Sequence, residues 1–169
     1  VDFSKAYDSV LHAFVSAALR FLGAPPLYIA LLMVMLAAQV QFVIGKGYVD
    51  SITLSPQSGI RQGDPLSPAL FSMLTTFLIY DLQRLKISMF ILLYADDIIL
   101  GFKAKGSTAK KDAAAALYVL SILGYFSGLR MNPQKTFALY KSTLGPAPET
   151  VAGLTVVQKL KYLGIWLGH

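Results

Sequence analysis

The chain has 169 residues, of which 15 are basic and 9 are acidic, so its formal net charge is +6. This length allows one domain with a buried core, and the positive charge favours an anionic partner, nucleic acid before a membrane surface. The sequence has no cysteine, which excludes a disulfide scaffold, a thiol nucleophile and a cysteine-ligated zinc site. Its hydrophobic fraction of 55% is high and predicts apolar surface that further protein covers.

Hydrophobic periodicity and turn residues predict helices and short strands in mixed order. The predicted helices cover residues 10–22, 27–38, about 65–84 and 108–127, and the predicted strands cover residues 1–3, 40–44, 48–54, 90–94, 98–102, 135–140, a stretch near 155 and residues 162–167. Asp8 and Ser9 are suitable N-cap residues for the first helix. Because strands and helices do not alternate strictly, the pattern favours an α+β fold with an antiparallel sheet covered by helices on one face.

Neither membrane insertion nor secretion is predicted. The most apolar stretch, residues 27–38, is about a dozen residues long, whereas a membrane-spanning helix needs around 20. No basic region precedes an apolar one at the start of the chain, so there is no signal-peptide pattern. The lack of cysteine fits a reducing, intracellular compartment, and the lack of an initiator methionine predicts that the chain is a fragment.

Residues 90–102 (FILLYADDIILGF) predict a buried β-hairpin with Asp96 and Asp97 at its tip. Two like charges about 4 Å apart repel by roughly 4 kcal/mol at an effective dielectric constant near 20. A hard divalent cation would offset this repulsion, because such ions prefer carboxylate oxygens. The alternative is a solvated turn, since Asp is a favoured turn residue.

Four further motifs carry polar or glycine residues at predicted turns, in residues 2–8 (DFSKAYD), 59–68 (GIRQGDPLSP), 128–136 (GLRMNPQKT) and 161–165 (KYLGI). The second motif is a glycine-containing loop before a helix N-terminus, a position suited to phosphate. Each motif alone has an ordinary structural interpretation: Asp2 as a turn acid, Tyr7 as a core residue, Lys135 as a solvated lysine.

Taken together and in this order, the motifs resemble the palm of reverse transcriptases. The motif sequences are most similar to those of the non-long-terminal-repeat (LINE-like) retrotransposons. The similar stretches are DFSKAYDSV, GIRQGDPLSPALF, LLYADDIIL, GLRMNPQKT and KYLGIWLG. The resemblance covers essentially the whole chain and implies one palm domain over residues 1–169, with a ferredoxin-like or RRM-like core and a primer grip at residues 159–169. It also implies that the fingers and thumb are missing.

The resemblance implies RNA-directed DNA synthesis, with Asp2, Asp96 and Asp97 holding two Mg²⁺ ions, for which Mn²⁺ could substitute. One ion would activate the primer 3′-hydroxyl and the other would hold the triphosphate. Consecutive strand residues point to opposite faces, so we expect Asp96 to be a direct ligand ahead of Asp97. Lys135 matches the position proposed to protonate the departing pyrophosphate, and it completes the implied catalytic set.

The resemblance also implies contacts with an RNA template, a DNA primer and dNTPs. Tyr7 matches a steric gate that excludes a ribose 2′-hydroxyl, and the other implied dNTP-binding residues are Phe3, Gln62 and Gly63. The implied template or primer contacts are Arg61, Tyr162, Leu163 and Gly164. No protein partner or membrane is implied, and a eukaryotic source would place the protein in the nucleus.

Two alternatives remain open. The short link between the helix ending near Arg84 and the strand starting near Ser88 could reflect a deletion, so the chain could be an inactive nucleic-acid-binding relic. An RNA-dependent RNA polymerase is a further alternative, although Tyr7 favours deoxynucleotides. We expect no processive synthesis from residues 1–169 alone.

Overall fold

The computed structural model describes residues 1–38, 56–103, 107–140 and 148–168, and these form an α+β structure. The helices are α1 (Ala6–Ser9), α2 (His12–Phe21), α3 (Pro26–Leu36), α4 (Ser67–Arg84) and α5 (Ser107–Ser127). The strands are β1 (Met89–Tyr94), β2 (Asp97–Phe102), β3 (Ala138–Leu139), β4 (Thr150–Val151), β5 (Leu154–Val157), β6 (Lys159–Tyr162) and β7 (Ile165–Gly168). The hairpin predicted at residues 40–54 lies outside the described residues.

Helix α2 begins later than predicted, and the predicted cap at Asp8 and Ser9 is wrong. The Ser9 hydroxyl donates to the Ala6 carbonyl at 3.2 Å, within the short helix α1. The carbonyl of Val10 accepts from the Gly59 amide, and the amide of Leu11 donates to the Ser127 carbonyl, each at 2.8 Å. Since these tertiary hydrogen bonds hold residues 10 and 11 extended, α2 starts at His12.

Helix α3 starts at Pro26, one residue before the predicted start, and is apolar on every side. Its inner side is buried through Ile29, Leu32 and Leu36. The opposite side exposes large apolar side chains, namely Leu27, Tyr28, Leu31, Val34 and Met35. The prediction of a core helix therefore holds for one side only. No helix in the described ranges combines the length and apolar character needed to cross a bilayer.

Within the described residues, the strands form three small sheets, whereas a single sheet was predicted. Their strand orders are β1-β2, β3-β5-β4 and β6-β7. The pairings β1–β2, β4–β5 and β6–β7 are antiparallel, as expected, but β3 pairs with β5 in parallel. An antiparallel arrangement throughout is therefore wrong for β3.

The β1–β2 hairpin packs one face against the helices. Met89, Ile91 and Leu93 of β1 contact the buried cluster, together with Ile98 of β2, which is 1% exposed. The alternate residues of β1, Phe90, Leu92 and Tyr94, are exposed. Because side chains alternate between the two faces of a strand, the hairpin has a core face and an open face.

Candidate functional site

The first residues of the chain run along β2. The Val1 nitrogen donates to the Ile98 carbonyl at 2.6 Å, and the Ile98 amide donates to the Val1 carbonyl at 3.2 Å. Two residues that exchange both hydrogen bonds form an antiparallel pair. The next pair in this register is Asp2 with Asp97, whose Cα atoms are expected about 4.5 Å apart because such a pair lacks hydrogen bonds.

Asp2 and Asp97 belong to the open face of the hairpin. Val1 and Ile98 both pack against the buried core. Because neighbouring residues of an extended chain point to opposite sides, Asp2 and Asp97 point away from the core. Tyr94 pairs with Asp97 across the hairpin and is 65% exposed. Ala95 and Asp96 form the two-residue turn of this hairpin, and Ala95 has a φ of 51°. The pairing therefore places Asp97, and not Asp96, opposite Asp2.

The three carboxyl groups interact electrostatically. Partial burial raises the pKa of the Asp97 carboxyl, and the neighbouring charges of Asp96 and Asp2 raise it further. Aspartates far apart in the sequence thus lie close enough for their charges to interact.

On its other side, Asp2 is held by the segment that carries Lys135. The Asn132 amide donates to the Asp2 carbonyl at 2.8 Å, and the Asp2 amide donates to the Thr136 hydroxyl at 3.2 Å. Thr136 is buried, whereas Lys135 is exposed. Lys135 lies in a turn that is closed by a hydrogen bond of 3.2 Å from the Lys135 amide to the Asn132 carbonyl. The Thr136 hydroxyl thus fixes the main chain of Asp2, a contact that the sequence did not identify.

The β6–β7 hairpin contacts the main chain of Asp97. Its two turn residues, Leu163 and Gly164, have φ values of 47° and 84°, typical of a tight two-residue hairpin turn. The Tyr162 hydroxyl donates to the Asp97 carbonyl in a long hydrogen bond of 3.5 Å. Partial burial and the Asp97 charge both raise the pKa of Tyr162. Of the predicted primer-grip residues, Tyr162 is thus adjacent to the catalytic candidates.

Tyr7 lies beside the loop that carries the predicted nucleotide-binding residues Gln62 and Gly63. Its carbonyl accepts from the Ile60 amide at 2.8 Å, so the loop that follows Ile60 is tied to α1. The His12 Nε2 and the Gly59 carbonyl are 2.9 Å apart, which fixes the same loop from α2. The ring of Tyr7 stacks on Phe71 of α4, with ring centroids 4.5 Å apart. This aromatic contact was not predicted from the sequence.

The predicted nucleotide loop is a compact turn at the start of α4. Gln62 and Gly63 are exposed, and the Gly63 φ of 90° is a left-handed conformation that glycine adopts readily. The Asp64 carboxylate accepts from the Leu66 amide at 2.8 Å, so this amide is not available to a phosphate. Arg61 donates one guanidinium hydrogen bond to the Ala38 carbonyl at 2.9 Å.

Phe3 differs from the other predicted nucleotide contacts. Its side chain is 4% exposed and belongs to the core, and its backbone forms an antiparallel bridge with Met131. A nucleotide contact by Phe3 would therefore involve main-chain atoms. The roles proposed for Phe3, Tyr7, Gln62 and Gly63 remain predictions.

The donor chemistry of the carboxylates fits a divalent cation such as Mg²⁺. Within the described ranges, no three acidic or histidine side chains are grouped closely enough to form a metal site by themselves. Protein-bound Mg²⁺ usually takes only one or two carboxylates and completes its coordination with water and substrate phosphates. The Asp2–Asp97 pair, with Asp96 beside it, fits a site of that kind.

Comparison with known proteins gives a consistent result. The model of the family "Reverse transcriptase (RNA-dependent DNA polymerase)" matches residues 1–167. The chain is 29% identical over 180 residues to the retrovirus-related Pol polyprotein from type-2 retrotransposable element R2DM of Drosophila melanogaster, covering 98% of this chain and 16% of that protein. It is 24% identical over 190 residues to the Pol polyprotein from type-1 retrotransposable element R2 of Popillia japonica, covering 98% of this chain and 30% of that protein. The chain therefore spans less than a third of either relative.

Proposed function

Because the chain belongs to the reverse transcriptase (RNA-dependent DNA polymerase) family, we propose that it is the palm of an enzyme that copies an RNA template into DNA. The observation that carries the proposal is the Val1–Ile98 pairing, which brings Asp2 opposite Asp97 on the open face of the hairpin. The reaction is the attack of a primer 3′-hydroxyl on the α-phosphate of a dNTP, with pyrophosphate as the leaving group.

Asp2, Asp96 and Asp97 would hold the metal ions. Two Mg²⁺ ions bound there would supply stabilisation of the negative charge on the attacking and leaving oxygens. Thr136 and Asn132 hold the backbone of Asp2, and the β1–β2 ladder holds that of Asp97, so the chain itself fixes the main chain of both aspartates before substrate binds.

The other predicted residues act on the incoming nucleotide, the departing pyrophosphate and the template–primer. Tyr7 excludes a ribose 2′-hydroxyl, with Gln62 and Gly63 beside the incoming nucleotide, and Lys135 donates the proton that leaves with pyrophosphate. General acid catalysis of this kind is typically worth 10²–10⁴-fold in rate. Arg61 contacts the template–primer, and so does the turn of the β6–β7 hairpin. We place the protein inside the cell, and in the nucleus of a eukaryotic host.

The β6–β7 hairpin supports a nucleic-acid partner. Lys161 pairs with Trp166 across the hairpin, with the Lys161 ammonium 6.0 Å from the centre of the Trp166 ring. Trp166 is 65% exposed, and Lys159 lies on the same face because side chains two apart on a strand share a face. An exposed aromatic ring beside cationic groups is suited to bases and phosphates, and the binding should weaken as salt rises.

RNA-templated primer extension with Mg²⁺ tests the proposal in the full-length protein. Asp96→Asn should abolish extension while leaving the affinity for template–primer duplex within about threefold, since one neutralised carboxylate removes catalysis but not the basic surface. Asp81→Asn is the matched control, because Asp81 lies in the groove between α4 and α5 with Arg84 and Ile122. Full activity of Asp96→Asn would contradict the assignment.

Two outcomes separate the proposal from its alternatives. An unsubstituted protein that binds duplex but never extends a primer would be a relic, and one that prefers ribonucleotides would be an RNA polymerase. Residues 1–169 alone should not give processive synthesis, and sustained extension by this segment would show that expectation to be wrong.

A further inference from the structure

The ring of Tyr7 has a specific aromatic partner on another element. Its centroid lies 4.5 Å from that of Phe71, and the two ring planes differ by 16°, so the rings are stacked. Phe71 is 1% exposed and is among the largest fully buried side chains described. The partly buried ring of Tyr7 therefore rests on a rigid surface within the core.

Phe71 also belongs to the element that carries the nucleotide loop. It lies in the second turn of α4, and the turn formed by residues 61–64 precedes this helix by two residues. The Ser67 hydroxyl at the start of α4 donates to the Arg61 carbonyl at 2.6 Å, which fastens this turn to the helix. The stack thus connects the ring of Tyr7 to the same helix that positions Gln62 and Gly63.

Two independent contacts define the position of Tyr7. The hydrogen bond from the Ile60 amide to the Tyr7 carbonyl holds its main chain at 2.8 Å, and the Phe71 ring limits the rotation of its side chain. A gate must occupy a fixed place to exclude a single hydroxyl group, since a ring that can turn aside admits the larger sugar. The hydrogen bond alone leaves that rotation free.

We propose that Phe71 is a specificity-determining positioning residue, which holds the Tyr7 ring where it discriminates between deoxyribose and ribose. This inference rests on the proposed function, in which Tyr7 is the steric gate. Phe71 acts through Tyr7 and touches neither the nucleotide nor the metal ions. Its substitution should therefore change sugar selectivity more than the rate of dNTP incorporation.

The test measures kcat/KM for single dNTP and rNTP additions by the full-length protein. Phe71→Leu should lower the preference for dNTP by roughly three- to tenfold, the range expected for one aromatic pair, mainly by lowering KM for the ribonucleotide. Phe71→Tyr, which keeps the stacked ring, should retain most of the preference. Phe77→Leu is the control on the same helix, because the Phe77 ring packs against Phe14 and Phe21.

A combined variant decides whether Phe71 acts through Tyr7. In a Tyr7→Ala background, Phe71→Leu should cause no further change in sugar preference. An unchanged preference in Phe71→Leu, or an equal loss with and without the Tyr7 ring, would overturn the inference. If Phe71→Leu does not fold, as thermal unfolding would show, Phe71→Met carries the same expectation.

The outcomes also separate this inference from the proposed function. If Tyr7→Ala leaves sugar discrimination unchanged, the gate assignment itself is wrong. If Tyr7→Ala relaxes discrimination but neither Phe71→Leu nor Phe71→Met does, the gate stands and only the role of Phe71 is refuted.

Discussion

Val1 and Ile98 exchange both of their main-chain hydrogen bonds, at 2.6 and 3.2 Å, and thereby set Asp2 opposite Asp97. The pairing brings together an acid from the start of the chain and one from the hairpin turn region. Their side chains share the face of the hairpin that the helices leave open. The like charges at this position affect the stability of the fold.

Asp97→Asn should stabilise the metal-free protein near neutral pH. Burial and the charges of Asp96 and Asp2 raise the folded-state pKa of Asp97. The protonated Asp97 carboxyl therefore stabilises the folded state at low pH, and this stabilisation is lost as pH rises through that pKa. We expect a Tm increase of about 1–3 °C at pH 7, small because a partly solvated charge interacts weakly. The difference should vanish below about pH 4.

Thermal unfolding in EDTA at both pH values measures this effect. Asp112→Asn on α5 controls for the loss of one negative charge. A lower Tm for Asp97→Asn at pH 7, or a gain that persists in acid, would mean that repulsion between the carboxylates does not govern the stability of this pair.

Thr136→Val should destabilise the fold and loosen Asp2. Valine keeps the shape of the buried side chain but removes the oxygen that accepts from the Asp2 amide at 3.2 Å. Leaving that amide without a partner should cost about 1–3 kcal/mol. Thr136→Ser keeps the hydroxyl and should cost less, so urea unfolding of the two variants isolates the hydrogen bond. Equal stabilities would indicate that the Asp2–Thr136 bond contributes nothing.

Tyr162→Phe and Tyr162→Ala should separate the hydroxyl from the ring. The hydroxyl makes one long hydrogen bond of 3.5 Å to the Asp97 carbonyl. Its removal in Tyr162→Phe should therefore lower the free energy of unfolding by at most about 0.5 kcal/mol. Removing the ring should weaken template–primer binding by about tenfold, because a stacked base contributes about 1–3 kcal/mol.

Fluorescence anisotropy with a labelled template–primer measures the affinities of both Tyr162 variants. Tyr118→Ala, which removes a tyrosine that is 67% exposed on α5, is the control. If Tyr162→Ala binds the duplex as tightly as the unsubstituted protein, the β6–β7 turn is not a primer contact.

Gly128→Ala should be much more destabilising than Gly23→Ala. Both glycines follow a helix and have left-handed φ values, 86° and 76°. A Cβ atom at Gly128 would overlap the Ser9 carbonyl, whereas one at Gly23 would meet no atom within 4 Å. The left-handed backbone should cost roughly 1–2 kcal/mol at both positions, and the overlap should add at least about 2 kcal/mol at Gly128. Denaturant unfolding gives both values, and similar losses would contradict the crowding at Ser9.

The sequence by itself determined the longer helices, the central hairpin and the family. The predicted bounds of α4 and α5 agree with the structure to within two residues, because an amphipathic repeat and a terminal proline or glycine act within one helix. The hairpin of residues 90–102 was predicted for a similar reason, since alternation and the turn are encoded locally. The ordered motifs indicated a reverse transcriptase, and the family match over residues 1–167 confirmed it.

Only the tertiary structure decided which distant groups meet. The start of α2 depends on bonds from residues 10 and 11 to Gly59 and Ser127, and no local signal encodes such partners. The same holds for the parallel pairing of β3 with β5, for the Thr136 hydroxyl beneath Asp2 and for the Phe71 ring behind Tyr7. Contacts between residues far apart in sequence arise when the core packs, so periodicity and motif spacing cannot specify them.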